Sequence, residues 1–136
     1  MNNVSKAAQF PDIDWFRTYA RVLEDAEEFR TYCRWFQGSI AFRVDGRAVT
    51  LGFADGMISE VREGMKDADY VINGSLGCWE RLVNQDITLL RLYRAGEIEI
   101  RAKNTELMKN WKAIYWIAEG MKAVAGAVAA SGTGRK

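Results

Sequence analysis

Histidine is absent from the 136-residue chain, and proline occurs only once. Without histidine the chain can build neither a Ser-His-Asp triad nor a Cys-His pair, and imidazole-based metal sites are excluded as well. A general base would have to be Asp, Glu, Lys or Tyr, which need substantial pKa tuning to work near neutral pH. These absences favour binding over catalysis, so we expect no enzyme activity, no cofactor and no metal.

An excess of charge of one sign is also missing. The chain carries 19 lysines and arginines against 18 acidic residues, which gives a formal net charge of +1. Proteins that bind nucleic acid normally show a basic surplus. We therefore expect no nucleic-acid partner.

Cysteine and long apolar runs are scarce. The two cysteines, Cys33 and Cys78, are too few for a disulfide framework and indicate reduced, packed thiols. The stretch from Met1 to Asp14 lacks the apolar region of a secretory signal. The longest run of small apolar residues, Ala123 to Ala130, is far shorter than the ~20 residues that span a bilayer. We expect a cytoplasmic protein without a transmembrane segment.

The length fits one domain with a core of its own. Residues 1–11 are polar and loosely patterned, which predicts a flexible N-terminal segment, and residues 12–122 form the expected domain. Residues 123–136 are small and glycine-containing, so this part is expected to be a weakly structured tail. A movable flap over a ligand site is the alternative interpretation of the tail.

The first patterned stretch is helical. Apolar residues recur at steps of three and four from Trp15 to Cys33, which predicts one amphipathic helix of about five turns. Asp12 or Asp14 is a suitable N-cap, and Gly38 follows as a helix stop.

From Ser39 the period changes to two. The pairs Asp45-Gly46 and Asp55-Gly56 separate alternating apolar runs and predict two tight hairpins, because type I′ turns need positive φ at both central residues. A further run at Tyr70–Asn73 completes a predicted antiparallel meander of four strands.

The rest of the chain alternates short elements. Ser75 is a good N-cap for a short helix, a second short helix is predicted over Ile87–Ala95, and Glu97–Arg101 is the clearest strand. A final helix is predicted from Asn104. The fold class is therefore α+β, with a five-stranded, mainly antiparallel sheet and helices packed on one face.

Several local motifs, taken in order, resemble the sterol carrier protein 2 family. They are the hairpin segments Ala41–Gly46 and Leu51–Gly56, the strand and helix entry Asp67–Ser75, and the segment Ala95–Ile100. The resemblance spans roughly residues 13–120. The chain departs from the family pattern at Asn84, where glycine is usual, and at Ala102-Lys103, where a Gly-Asp pair is usual.

The resemblance implies a hydrophobic cavity between sheet and helices that takes a sterol, fatty acid, acyl-CoA or phospholipid. The implied function is non-catalytic binding and intracellular transfer or presentation of that ligand. The predicted lining residues are apolar and lie on strand faces or helix stripes: Phe42, Val49, Leu51, Trp79, Leu82, Leu89, Leu92, Ile98, Ile100, Trp111, Tyr115 and Met121. For each of them an ordinary core contact is the alternative. Arg91 and Arg94 are candidates for holding an acidic head group, or else lie on a solvated helix face.

Two other functions stay open at this point. A small enzyme or enzyme subunit could act on a steroid or acyl thioester in the same cavity, with the pairs Asp67/Asp69 and Glu97/Glu99 as candidate acid–base groups. Glu97 and Glu99 alternate with isoleucines, however, which is typical of a solvent-facing strand. A protein-interaction domain would instead show a filled core and an exposed apolar patch. Expected partners are a hydrophobic ligand, a lipid- or steroid-metabolising enzyme and a second copy of the chain.

Overall fold

The computed structural model describes residues 10–84, 87–102 and 109–124. Five strands and five helices fall in these ranges. In chain order they are α1 (Ile13–Asp25), α2 (Glu27–Tyr32), β1 (Gly38–Val44), β2 (Arg47–Ala54), β3 (Met57–Glu63), β4 (Tyr70–Gly74), α3 (Leu76–Val83), α4 (Leu89–Arg94), β5 (Ile98–Ala102) and α5 (Trp111–Glu119).

The strands form one sheet in the order β3-β2-β1-β4-β5. Three neighbouring pairs are antiparallel, whereas β1 and β4 are parallel, with Ile40 opposite Tyr70. The predicted α+β class and five-stranded sheet are confirmed. The predicted four-strand meander is wrong at its last step, because β4 pairs with β1 and not with β3.

Both predicted Asp-Gly hairpins are present. Asp45 and Gly46 have φ of 49° and 89°, and Asp55 and Gly56 have φ of 55° and 75°. Positive φ at both central positions is the requirement of a type I′ turn, and aspartate followed by glycine tolerates it well. The first turn sets the register of β1 and β2, and the second sets that of β2 and β3 as far as a bulge at Gly52/Phe53, where the register shifts.

A six-residue connection, residues 64–69, carries the chain from the edge strand β3 across the sheet to β4. The Thr50 hydroxyl donates a hydrogen bond of 2.7 Å to the Gly64 carbonyl, and the backbone N–H of Ser39 donates one of 2.9 Å to the Asp69 carboxylate. Thr50 alternates with Val49 and Leu51 and so lies on the outer face of the sheet, yet it is fully buried. The connection therefore covers part of that outer face, and β4 reaches the free edge of β1.

Replacing Thr50 with valine tests this crossover. The substitution keeps the side-chain shape but leaves the Gly64 carbonyl without its donor, and we expect the free energy of unfolding to fall by about 1 kcal/mol. Urea unfolding followed by circular dichroism measures it. Thr31→Val, on an exposed position of α2, is the matched control and should change stability by no more than about 0.5 kcal/mol. Equal stability of the two variants would contradict the covering role of the connection.

The predicted first helix is divided at Ala26, whose φ of −78° and ψ of 134° are extended. The apolar stripe survives in both parts, because Phe16 and Leu23 of α1 and Phe29 of α2 are buried. The break redirects α2 so that Phe29 packs on Phe53 of β2, with ring centroids 6.1 Å apart. Helical period alone therefore predicted the buried face correctly and the continuity of the helix wrongly.

Helix caps were predicted in part. Ser75 caps α3 as expected, since its hydroxyl accepts the Cys78 N–H at 3.2 Å. Thr88 plays the same role for α4, whose start at Leu89 is later than predicted. Asp12 occupies the N-cap position of α1, but its carboxylate pairs with Arg47 at 2.9 Å and caps no N–H group.

Within the described ranges, none of the helices has the length and apolar character needed to cross a bilayer. Residues 1–9 of the predicted N-terminal segment, residues 125–136 of the predicted tail and the predicted helix start at Asn104 lie outside those ranges. The expectations for these parts stay predictions.

Candidate functional site

The site expected from the sequence is the apolar layer between the sheet and the helices. The five predicted strand residues of this layer are all buried and belong to one hydrophobic cluster; they are Phe42, Val49, Leu51, Ile98 and Ile100. Their strand neighbours Glu97 and Glu99 are exposed and pair with Arg81 at 3.1 Å and Arg101 at 3.4 Å. Alternation along the strands therefore placed the helix-facing side of the sheet correctly.

Aromatic rings fill the part of this layer next to α1. The ring of Phe42 has its centroid 5.6 Å from Phe16, 5.8 Å from Tyr19 and 5.9 Å from Trp79. The indole N–H of Trp79 donates a hydrogen bond of 2.9 Å to the Arg43 carbonyl. Trp79 therefore fixes α3 to β1 by both its ring and its polar atom.

Helix α5 is held over the layer by two contacts with main-chain carbonyls. The Tyr19 hydroxyl donates to the Ile117 carbonyl, and the Cys33 thiol lies 3.5 Å from the Ala113 carbonyl. Burial raises the pKa of Tyr19 well above its usual range, with the neighbouring Cys33 adding to the shift. Burial also raises the pKa of Cys33, from 9.0 to about 12. Both groups are therefore neutral anchors and not nucleophiles at neutral pH.

An apolar groove opens where the end of α1, the start of α2 and the end of α5 meet. We call it the α1–α5 groove; it has a volume of about 370 Å³. Its lining is Leu23, Ala26, Glu28, Phe29, Trp116, Glu119, Gly120, Lys122 and Ala123. Gly120 permits the close approach of the two helices, because a Cβ there would lie 2.7 Å from Cδ1 of Leu23.

Charged residues also line this groove, among them Glu119 and Lys122. The Glu119 carboxylate accepts the Leu89 N–H at 2.8 Å and pairs with the Lys122 ammonium. These side chains are only 10% and 19% exposed, respectively. Burial raises the pKa of the neighbouring Tyr115, and the Glu119 carboxylate raises it further. The groove thus combines apolar side chains with a carboxylate and an ammonium group.

None of the twelve predicted lining residues lines the groove. Ten of the twelve predicted lining residues are buried in the core, and Trp111 and Tyr115 are partly buried. That they line a cavity for a ligand stays a prediction, because the α1–α5 groove is lined by other residues. The groove residues Leu23 and Phe29 were not predicted, although both belong to the apolar helical stripe from Trp15 to Cys33. This stripe is the feature of the sequence that could have identified them.

Other predicted polar candidates lie away from the groove. Arg91 and Arg94 are exposed on α4 and do not line it. Asp67 lies in a turn with φ of 62°, and the Asp69 carboxylate holds the N–H and hydroxyl of Ser39. Asp67 and Asp69 therefore do not form a strand pair facing one side, since β4 begins only at Tyr70.

A wider pocket of about 800 Å³ lies toward the outer face of the sheet. Arg43, Asn73 and Glu99 are among its lining residues, and polar atoms form most of its surface. Ligand pockets for apolar molecules are lined mainly by hydrophobic and aromatic side chains. The α1–α5 groove is therefore the better candidate for an apolar ligand.

The comparisons with known proteins agree on the fold. No protein-family model and no curated protein matches the sequence. A crystal structure of sterol carrier protein 2 superposes with a TM-score of 0.73 at 23% identity, covering 84% of this chain and 98% of that one. A conserved hypothetical protein from Thermus thermophilus, suggested to be a sterol carrier protein, gives 0.72 at 21% identity over 85% and 90%.

A third structure, the UbiJ-SCP2 ubiquinone synthesis protein, superposes with a TM-score of 0.51 at 21% identity. The match covers 76% of this chain and 86% of that one. The three proteins share the arrangement of sheet and helices with this chain over most of their lengths. The chain therefore has the sterol carrier protein 2 fold, as the motifs of its sequence suggested.

Proposed function

We propose that the chain binds a hydrophobic ligand such as a sterol, fatty acid, acyl-CoA or phospholipid, with the α1–α5 groove as the entrance. The observation that carries the proposal is the apolar lining of this groove, set in a fold that it shares with sterol carrier protein 2. The groove volume of about 370 Å³ falls in the usual range of small-molecule sites.

The chemistry of the groove suits an aliphatic chain with a polar end. Burying a dozen methylenes contributes roughly 10 kcal/mol before the costs of binding are subtracted, at ~0.8 kcal/mol each. Leu23, Phe29 and Trp116 supply the apolar contacts, and the Lys122 ammonium would meet an acidic polar end.

Mass spectrometry of the purified protein under native conditions, followed by solvent extraction, identifies a retained ligand. Titration with brominated fatty acid then tests the groove directly, because bromine quenches a nearby indole and Trp116 lines the groove. We expect quenching in the natural chain and most of that quenching to disappear in Trp116→Phe. A protein that carries no lipid and shows no quenching with fatty acids or sterols would overturn the proposal.

Filling the groove should weaken binding. In Ala26→Trp the indole would occupy the groove and exclude about two methylenes of the ligand, which predicts a roughly tenfold higher Kd for fatty acid. Ala48→Trp is the matched control, since Ala48 lines a different pocket beside the β1–β2 turn. Fluorescence titration of both variants, with thermal unfolding to verify folding, makes the comparison. Unchanged affinity in Ala26→Trp would place the ligand elsewhere.

We further propose that the chain itself performs no catalysis on its ligand. The neutral anchors Tyr19 and Cys33 hold α5 in place, and the Glu119 carboxylate binds the Leu89 N–H and Lys122. The alternative is an enzyme subunit that presents an apolar substrate. Its support is the similarity in fold to the UbiJ-SCP2 ubiquinone synthesis protein. Thiol release from an acyl thioester, abolished in Glu119→Gln, would support the alternative.

A further inference from the structure

Strand β5 forms one edge of the sheet, and one side of its backbone has no partner. Its five residues, Ile98–Ala102, pair with β4 alone, in the antiparallel direction. Among the described residues, none outside β4 hydrogen-bonds with the main chain of Ile98, Ile100 or Ala102. An edge strand with free N–H and C=O groups is a template for pairing with a further strand.

The hydrogen bonds of β4 determine which groups of β5 are free. The Asp45 N–H donates to the Gly74 carbonyl at 3.3 Å, so the main-chain groups of Gly74 face β1. Because these groups alternate in direction along a strand, those of Asn73 face β5 and bond with Glu99, which lies opposite. The N–H and C=O groups of Ile100, one residue further, therefore point away from the sheet. The outward residues of β5 are Ile98, Ile100 and Ala102.

The edge is accessible. The pocket of about 800 Å³ on the outer face extends around it, because Glu99 on the outer face and Ile98 and Ile100 on the helix-facing side all line this pocket. Tyr93 of α4 lines it as well and is 39% exposed. The opposite edge strand, β3, shifts its register at a bulge, which is one device that keeps edges from pairing, whereas β5 pairs with β4 in a continuous register.

The outer-face charges of β5 match those of a second, antiparallel β5. When Ile100 lies opposite Ile100 of a second copy, Glu99 of each chain lies opposite Arg101 of the other. These are non-hydrogen-bonded pairs, whose side chains are close because their Cα atoms are about 4.5 Å apart. A shift of two residues in either direction would place two Glu99 or two Arg101 side chains opposite each other, which is destabilising. The charges therefore select one register, and its central residue, Ile100, is an outward one.

We propose that two copies of the chain associate through their β5 edges and join their two sheets into one. Glu99 and Arg101, which are 3.4 Å apart within one chain, would form a ring of four alternating charges with those of the second copy. Tyr93 and the adjacent Trp111, with ring centroids 5.4 Å apart, would extend the contact on the helix-facing side. A strand of another protein would meet the same free groups, but the charge match identifies the second copy as the occupant.

This interface is small and separate from the ligand site. Strands of five residues place it at the low end of specific interfaces, and we expect a Kd on the order of 10 μM. The interface shares no residue with the α1–α5 groove, so the inference does not rest on the proposed function.

Sedimentation equilibrium of the full chain measures the association. We expect the mass to rise with concentration toward twice the 15.4 kDa of one chain. Glu99→Arg and Arg101→Glu each place like charges opposite one another and should raise the Kd at least roughly tenfold. An equal mixture of these two variants should form a heterodimer, because two positive side chains of one chain then face two negative ones of the other. The double variant, with both substitutions in one chain, should recover the homodimer.

Matched controls reverse the same charges elsewhere. Glu63→Arg on the opposite edge strand and Arg21→Glu on α1 change exposed positions and should leave the Kd unchanged. In dilute solution, thermal unfolding of all variants should stay within a few degrees of the natural chain, because Glu99 and Arg101 are exposed as well. Glu99→Arg should bind fatty acid normally, so failure of the dimer and failure of the ligand site are distinguishable.

Amide hydrogen exchange tests the register. Well above the Kd, the Ile100 and Ala102 N–H groups should exchange severalfold more slowly in the natural chain than in Arg101→Glu, while the Glu99 N–H, bonded to β4, should be protected in both. A natural chain that stays monomeric at about 1 mM, a hundred times the expected Kd, would overturn the proposal. So would a dimer that neither charge reversal weakens, or a mixture of the two variants that does not associate.

Discussion

Trp79→Ala is expected to lower the free energy of unfolding by about 4 kcal/mol, the usual cost of deleting a buried aromatic side chain. Trp79 is inaccessible to solvent, and its ring lies against Phe42 and Phe10. The space left behind cannot close easily, since Gly74 offers no side chain to fill it. A domain of this size is stabilised by only about 5–15 kcal/mol, so this single change removes much of the total.

Trp79→Phe separates packing from hydrogen bonding. This variant retains most of the buried ring but leaves the Arg43 carbonyl without its donor, and the expected loss is about 1–2 kcal/mol. Urea unfolding of the two variants measures the difference. Trp35→Ala is the control, because its ring is exposed and its removal should cost no more than about 0.5 kcal/mol. Equal losses for Trp79→Ala and Trp35→Ala would contradict the packing described for α3.

A loss of folding stability at alkaline pH is the second large effect that we expect. The pKa of Cys33 is raised in the folded state, so the unfolded chain loses this proton first as the pH rises, and stability falls. The loss begins near pH 9, where the unfolded thiol ionises, and is complete at about pH 12. At about pH 10.5 it amounts to roughly 2 kcal/mol. Tyr19, whose pKa is also raised by burial, adds to the loss above about pH 10.

Urea unfolding under reducing conditions at about pH 8 and about pH 10.5 tests this linkage. Cys33→Ala lacks the buried thiol and should lose roughly 2 kcal/mol less than the natural chain between the two pH values. Cys78→Ala is the matched control, since Cys78 is only partly buried and its removal should leave the pH dependence nearly unchanged. If the Cys33→Ala variant loses as much stability as the natural chain between the two pH values, a group other than Cys33 causes the pH dependence.

Local patterns in the sequence predicted the elements whose cause is local. The Asp45-Gly46 and Asp55-Gly56 turns depend on two adjacent residues, and both form as expected. Alternation placed Phe42 and Ile98 on the helix-facing side of the sheet, since a strand has only two faces. The hydroxyl of Ser75 caps α3 through a neighbour three positions away.

Features that depend on distant contacts were missed. No glycine or proline marks the helix break at Ala26 in the sequence. The break allows Phe29 to pack on Phe53 and Cys33 to contact α5. The pairing of β4 with β1 depends on the path of residues 64–69 across the sheet, which periodicity does not encode. The α1–α5 groove combines residues about 90 positions apart, such as Phe29 and Gly120, so no local pattern could identify it.

The crossover of residues 64–69 also affects the order in which the strands pair during folding. Strands β1, β2 and β3 are joined by two-residue turns, so their pairing closes only small loops. The pairing of Ile40 in β1 with Tyr70 in β4 closes a much longer loop. Loop-closure entropy and contact order both favour the nearer pairs. We expect the three-stranded unit to form first during synthesis, with the edge of β1 serving as the template on which β4 and β5 are added.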